Sequence, residues 1–232
     1  MPRLTILFMI LFAAVSCYSQ KSSIFISAEA GWSDDHYQMN DIGSRFDAPQ
    51  LGSGYFGIAV RKLVTAHLYV EGGVYTRGYH QGVALKGGLS LSGSGRRFAQ
   101  FPMRVGGRWS LFNDRISIRP AGGLIFSVTG KYDGRGPLDL VDRQNGDQVE
   151  YTYNTIYQTD AFFLAHANFS VECRVGKKVY LGLSSSYNWG LQKIQLQRIE
   201  YTVNGGAVMK ATASTMGGYN SITGTLSYRF GS

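Results

Sequence analysis

Beyond residue 20 the apolar positions recur at a spacing of two, the repeat of an extended strand whose side chains alternate between faces. In the first such segment Ile24, Ile26, Ala28, Ala30 and Trp32 share one face, and Phe25, Ser27, Glu29 and Gly31 share the other. A second, at about 53–62, sets Phe56, Ile58 and Val60 against Gly57, Ala59 and Arg61. A third, at about 67–79, sets Leu68, Val70 and Val74 against Tyr69, Glu71, Tyr75 and Arg77. The fourth, about 98–112, opposes Phe101, Met103, Val105, Trp109 and Leu111 to Gln100, Arg104, Arg108 and Ser110. In the fifth, about 115–129, Ile116, Ile118, Leu124, Phe126 and Val128 oppose Ser117, Arg119 and Ser127. In the sixth, about 161–175, Phe163, Phe169, Val171 and Cys173 oppose His166, Asn168, Glu172 and Arg174. A seventh starts near Lys178, and an eighth ends with Leu226, Tyr228 and Phe230 opposite Thr225, Ser227 and Arg229. Eight is an even number, as closure into a barrel with both termini on one side requires.

The connections alternate in length. Residues 62–66, Asn113-Asp114 and Gly176-Lys177 are tight turns, whereas 33–52, 80–97, 131–160 and 191–218 are long. Short turns at one end and long loops at the other are the pattern of outer-membrane barrels. Alternation alone leaves open which face points inward, and a soluble barrel would hold its apolar face inside. Strand length favours the membrane arrangement, because ~9–11 tilted residues cross a bilayer. So do the aromatics near the strand ends: Trp32, Tyr187 and Trp189 toward the loops, and Trp109, Phe112, Tyr228 and Phe230 toward the turns. The expected fold is all-β, a closed antiparallel transmembrane β-barrel of about eight strands with long extracellular hairpin loops.

The polar face then lines the lumen with Glu29, Arg61, Glu71, Arg77, Arg104, Arg108, Arg119, Glu172, Arg174 and Arg229. An eight-stranded barrel is just wide enough to be filled by side chains, so these residues are expected to form an ion-pair network, with a narrow channel as the alternative. A lipid-modifying enzyme is a third possibility. Its best nucleophile and base candidates, Ser170, His166 and Glu172, share one strand face. At ~3.3 Å per residue His166 and Ser170 stand roughly 13 Å apart, too far for proton transfer. The expectation is therefore a non-catalytic protein, with no cofactor. His36, His67, His80 and His166 lack the spacing of zinc ligands. The acidic cluster Asp139, Asp142, Asp147 and Glu150 departs from the EF-hand spacing for calcium.

Asn145-Gly146 and Asn204-Gly205 are strong hairpin turns. Ile194, Leu196 and Arg198 lead into the second and Val208, Lys210 and Thr212 lead out. Strands seven and eight are thus expected to continue above the membrane as a ribbon, with a shorter extension turned by Lys86-Gly87-Gly88. Exposed ribbon edges can pair with a strand of another protein, which makes loops 131–160 and 191–218 the expected site of a protein partner.

The N-terminus adds an address. Arg3 followed by the twelve apolar-rich residues 4–15 is too short to span a bilayer, for which ~20 are needed, and suits a signal peptide. Ser19 and Cys17 at −1 and −3 allow cleavage before Gln20, giving a signal peptide over 1–19 and a barrel domain over 20–232. The alternative is a lipoprotein signal acylated at Cys17. Cleavage before Gln20 leaves Cys173 alone, so no internal disulfide is expected. The formal charge is +8, but no basic run exceeds two residues, which argues against nucleic-acid binding.

Several of these segments resemble the PorT-like family of outer-membrane β-barrels from gram-negative bacteria. The resemblance covers roughly 24–230 and rests on Leu68-Tyr69-Val70-Glu71 running to Tyr75, Arg77 and Gly78. Phe98-Ala99-Gln100-Phe101-Pro102, Ile118-Arg119-Pro120-Ala121-Gly122-Gly123 and the closing Leu226-Ser227-Tyr228-Arg229-Phe230 complete it. Family members usually carry an acidic-aliphatic pair where this chain has Gln100-Phe101. The resemblance implies integral residence in the outer membrane and, from the family's namesake, a role as scaffold or docking component of a surface or secretion assembly. The closing aromatic strand resembles the terminal signal read by the barrel-assembly machinery, which with outer-membrane lipid completes the expected partners.

Overall fold

A computed structural model describes residues 23–48, 52–79, 82–86, 90–92, 96–130, 134–141 and 146–231. The expected signal peptide over 1–19, with Cys17, and His80, Gly87-Gly88, Asp142 and Asn145 lie outside these residues. In chain order the strands begin with β1 (Ile24–Asp35), β2 (Gln38–Asp41), β3 (Phe46–Asp47), β4 (Gly52–Leu63) and β5 (Leu68–Tyr79). They continue as β6 (Gly82–Leu85), β7 (Ser90–Ser92), β8 (Arg96–Gly107), β9 (Trp109–Leu111) and β10 (Ile116–Val128). Then follow β11 (Gly134–Val141), β12 (Gln148–Tyr157), β13 (Ala161–Arg174) and β14 (Val179–Gly190). The chain ends with β15 (Gln195–Val203), β16 (Met209–Thr215) and β17 (Tyr219–Phe230).

Nine of these, with β8 and β9 forming one interrupted strand, make a closed eight-stranded antiparallel barrel in the order β1, β4, β5, β8 with β9, β10, β13, β14 and β17. Closure comes from β1 pairing with β17 along its whole length, from Ile24 opposite Phe230 to Asp35 opposite Tyr219. No sheet edge is left in the wall, which satisfies the backbone where water is absent. The fourth predicted strand is divided at Arg108 into β8 and β9. The register against β10 is the same on both sides of the break, Ala121 opposite Gly106 and Ile118 opposite Trp109. The intervening Pro120 has no N–H to give, so the ladder lapses there without slipping. Pro102 marks a similar lapse between β5 and β8, where pairing stops at Gly72–Met103 and resumes at Tyr75–Gln100.

The apolar face is outside. Leu183, Ile222 and Val74 are 62%, 61% and 58% exposed, and Phe56, Ile58, Val105, Phe169 and Leu226 also face outward. Water would not tolerate a continuous apolar belt of this extent on a soluble barrel; hydrocarbon requires it. Trp32, Tyr187 and Trp189 rim the belt at the loop end, and Trp109, Phe112, Tyr228 and Phe230 rim it at the turn end, all exposed. Inside, glycine makes room for tyrosine. A Cβ on Gly57 or on Gly73 would overlap the Tyr75 ring. Gly57→Val should therefore displace that ring and cost about 1–3 kcal/mol, read as a lower urea midpoint for the barrel in lipid vesicles; an unchanged midpoint would show that the contact is slack.

The long loops fold into a head. β11, β12, β15, β16 and β2 form a five-stranded sheet, and β3, β6 and β7 a three-stranded one. Strands seven and eight of the barrel thus do not simply extend as a ribbon; segments from three loops share one sheet. The Asn204-Gly205 turn is made as expected, with φ of 51° and 67°, the left-handed pair that a two-residue hairpin needs. The two sheets enclose a second core of Phe46, Val149, Tyr151, Ile199, Tyr201, Ala211 and Ala213. Phe46 of the smaller sheet sits edge-on to Tyr201 and Tyr151 of the larger, at 4.9 and 5.8 Å between centroids.

Candidate functional site

The alternation that turns apolar residues to lipid delivers one charged residue to the lumen from each of six neighbouring strands. They are Glu29 on β1, Arg61 on β4, Glu71 on β5, Arg104 on β8, Arg119 on β10 and Glu172 on β13. All six are buried, and they are linked in an unbroken series. Arg104 Nη1 lies 3.6 Å from Glu29 Oε1 and 2.7 Å from Glu71 Oε1. Arg119 reaches Glu71 Oε2 at 3.9 Å and Glu172 Oε1 at 2.6 Å. Arg61 closes the series by donating to both oxygens of Glu172 at 3.1 Å, and Ser227 Oγ donates to Glu172 Oε1 at 3.1 Å. Three acids and three bases leave the set neutral, the condition for holding ions at this depth.

Aromatic faces lie against part of the guanidinium surface. Arg61 lies 4.4 Å from the Phe25 centroid, and Arg104 lies 5.4 Å from that of Tyr75. The two strands that bring no ion to this layer, β14 and β17, line it with small hydroxyls. Ser184 bonds Thr223 at 2.5 Å, and Ser27 bonds Ser227 at 2.8 Å. Short side chains on one wall give the long ones from the other six room to cross.

The remaining predicted lumen residues lie apart from this series. Arg77, fully buried, pairs with Asp35 and stacks 4.0 Å from the Tyr219 centroid. Arg108 reaches Asp114 at 3.4 Å, Arg174 donates to the Asn113 carbonyl, and Arg229 donates to Ser23 Oγ. Those three belong to the turn end. Gln100, which stands where the family resemblance implies an acid, is buried in the lumen, donates to Ser127 Oγ at 2.9 Å and accepts from Tyr219 at 2.8 Å. An amide suits that position because its neighbours are a hydroxyl acceptor and a hydroxyl donor.

Above the charged layer the mouth is stoppered by apolar groups. Tyr55, Tyr75, Tyr79, Phe98, Ile125, Phe162, Leu164 and Tyr219 pack with Ile194, which comes down from the loop before β15. Tyr79 donates to Gln195 at 2.6 Å and ties the stopper to the head. Phe162 and Leu164 escape the sequence reading because Ala161-Phe162-Phe163-Leu164-Ala165 is apolar on both faces, so alternation has nothing to report.

The nucleophile and base candidates are engaged elsewhere. His166 Nδ1 lies 2.6 Å from Asn188 Oδ1, Ser170 donates to the Arg119 carbonyl, and Glu172 serves Arg61 and Arg119. In the acidic cluster Asp147 is taken by Arg45 at 3.0 Å and by Asn204 at 2.7 Å. Among the described residues no three metal-ligating side chains come together.

The head is organised by Asp41. Its carboxylate accepts from the backbone N–H groups of Gly43, Arg45 and Phe46 and from the Tyr201 hydroxyl at 2.7 Å. Burial, then the bond to Asp41, raises the Tyr201 pKa above its ordinary value, so the phenol remains a donor. Burial and Tyr153 push Tyr151 up to about 12.

No family model matches the chain, and no curated protein matches it in sequence. Solved structures are similar to it in fold. The outer membrane protein OprG from Pseudomonas aeruginosa is 10% identical, with 92% of this chain and 98% of OprG covered at a TM-score of 0.54. Ail, the attachment invasion locus protein of Yersinia pestis, is 11% identical over 91% of this chain and 100% of its own, at a TM-score of 0.35. With its lipid-facing apolar belt, closed eight-stranded wall and fold similarity to OprG, the chain has the architecture of an outer-membrane β-barrel.

Proposed function

We propose that this chain resides in the bacterial outer membrane as a non-catalytic, non-conducting anchor for its extracellular head, and that the head docks a protein partner within a surface or secretion assembly. The observation that carries this reading is the contrast between the two ends of the molecule. The lumen is filled, with Arg61, Arg77, Tyr79, Phe98 and Tyr219 at 0–1% exposure, whereas a water-filled pore would leave its lining wet. The loops, by contrast, are built into a head with a core of its own, an investment that inert shielding does not need. The resemblance to the PorT-like family supports the secretion setting.

The docking surface in this proposal is a sheet face rather than an edge. β11 forms the outer edge of the five-stranded sheet, and Pro137 within it lacks the N–H that strand addition would use. The solvated face presents Glu150, Arg198, Glu200 and Lys210. A photo-crosslinking residue at Glu200 should give a discrete protein adduct on whole cells, and one at lipid-facing Ile222 should not. In planar bilayers the purified barrel should show no discrete conductance steps. Stepwise conductance would favour the channel alternative and overturn the anchor.

A further inference from the structure

The net positive charge of the molecule is not spread over it. The six-residue lumen series is neutral, and Arg77 is matched by Asp35. The four long-loop segments with the strand ends beside them, 34–53, 76–98, 128–161 and 189–220, hold equal numbers of acidic and basic residues. Apart from Arg3 and Lys21 near the N-terminus, what remains is at the turn end. There, among the described residues, Lys62, Arg108, Arg115, Arg174, Lys177, Lys178 and Arg229 are accompanied by one acidic side chain, Asp114.

Most of these form one arc. Arg115 and Arg174 are adjacent, since the Arg174 N–H donates to the Arg115 carbonyl at 2.8 Å. Lys178 and Arg229 are joined in the same way, the Arg229 N–H donating to the Lys178 carbonyl at 2.8 Å. The arc therefore runs without interruption across β9, β10, β13, β14 and β17. Arg115, Lys177 and Lys178 are exposed. Its field is felt by Asp114, whose carboxyl is held below the usual range by a hydrogen bond from Ser110 and then by Arg108, Arg174 and Arg229.

Depth decides what the arc meets. A strand of 12 residues, at ~3.3 Å per residue and a tilt of ~40°, rises about 30 Å, the thickness of the hydrocarbon. The turns are too short to reach beyond the headgroup layer that follows. Exposed apolar groups are interleaved with the bases, Phe112 at 73% and Val175 at 56%, and the girdle residues Trp109, Tyr228 and Phe230 stand beside them. Bases mixed with apolar anchors suit a membrane surface better than an acidic protein face, which offers nothing for Phe112 and Val175 to enter.

We propose that this arc binds the phosphate headgroups of anionic phospholipids in the periplasmic leaflet and gives the barrel a preference for them over zwitterionic lipid. The proposal rests on the outer-membrane reading above. The test uses the whole barrel with Trp32 and Trp189 replaced by Phe, so that Trp109 beside the arc reports alone. Vesicles of phosphatidylcholine receive increasing fractions of brominated phosphatidylglycerol or brominated phosphatidylcholine, and quenching gives the relative association. Phosphatidylglycerol should be preferred, with the preference lost at high salt. Arg115→Gln, Lys177→Gln and Lys178→Gln together should reduce it, by about fivefold for each charge that touches a headgroup.

Equal quenching by the two lipids, or an undiminished preference in the triple variant, overturns the proposal. Displacement of phosphatidylglycerol by soluble polyglutamate at low concentration would assign the arc to an acidic protein segment instead. Heat-modifiable gel mobility, recorded for each variant, separates these outcomes from a failure of the barrel reading: a parent protein with no mobility shift is not a membrane barrel at all.

Discussion

Glu172→Gln should destabilise the barrel by about 3–5 kcal/mol, the cost of leaving buried charge without its partner. Two guanidinium groups depend on this carboxylate, Arg61 through both oxygens and Arg119 at 2.6 Å. Arg119 would retain Glu71 at 3.9 Å and the face of Tyr69, and Arg61 would keep little beyond the faces of Phe25 and Tyr69. Urea unfolding in lipid vesicles, followed by tryptophan fluorescence, measures the loss. Adding Arg61→Met to the variant should recover part of it, because removing both members of a buried pair costs far less than removing one. A single-variant loss below about 1 kcal/mol would mean that water reaches the guanidinium groups, as it does at surface pairs. The lumen would then be wet, and the channel alternative would gain what the anchor reading loses.

Asp41→Ala should open the head and leave the barrel closed. Three backbone donors and the Tyr201 hydroxyl converge on this carboxylate, and bonds to a charged acceptor contribute about 1.5–3 kcal/mol each when their partner cannot be replaced. Water can replace some of them at this partly buried site, so a net cost of about 3 kcal/mol is expected. The position of the loop 41–46 also holds Phe46 between Tyr151 and Tyr201, so the second core should loosen with it. Hydrogen exchange should rise across β2, β12, β15 and β16, while β1, β4 and β5 stay protected and the heat-modifiable shift persists. Exchange rising equally in both regions would show that head and barrel unfold as one unit.

The barrel was legible in the sequence because its rule is local. A period of two assigns Glu29, Glu71, Arg104 and Glu172 to one face whatever the rest of the chain does. Which acid meets which base is not local, since Arg61 and Glu172 are brought together only by closing the wall. Asp35 and Asp41 lie past the end of the first run of alternation, where the pattern gives no instruction, and their partners Arg77 and Tyr201 come from distant strands. The head was half legible for the same reason. The Asn204-Gly205 hairpin is written in adjacent residues, but the insertion of β2 beside β16 joins segments about 170 residues apart, and no short-range pattern encodes that. The apolar stopper was hidden where both faces of a strand are apolar, as at 161–165. The charge asymmetry was hidden by counting residues along the chain rather than around the rim.

The order of the ionic layer along the chain bears on assembly. Its six members lie on β1, β4, β5, β8, β10 and β13, and the hydroxyl-lined β14 and β17 come last. A nascent wall can thus neutralise its own charges before the final hairpin is delivered to it. That final pair then completes the ladder on both its flanks, β13 on one side and β1 on the other, and adds no ion to that layer. Insertion is left with a zipper whose closing teeth are uncharged at that depth, and the energetically hazardous part of building the ionic layer is finished before the ring is locked.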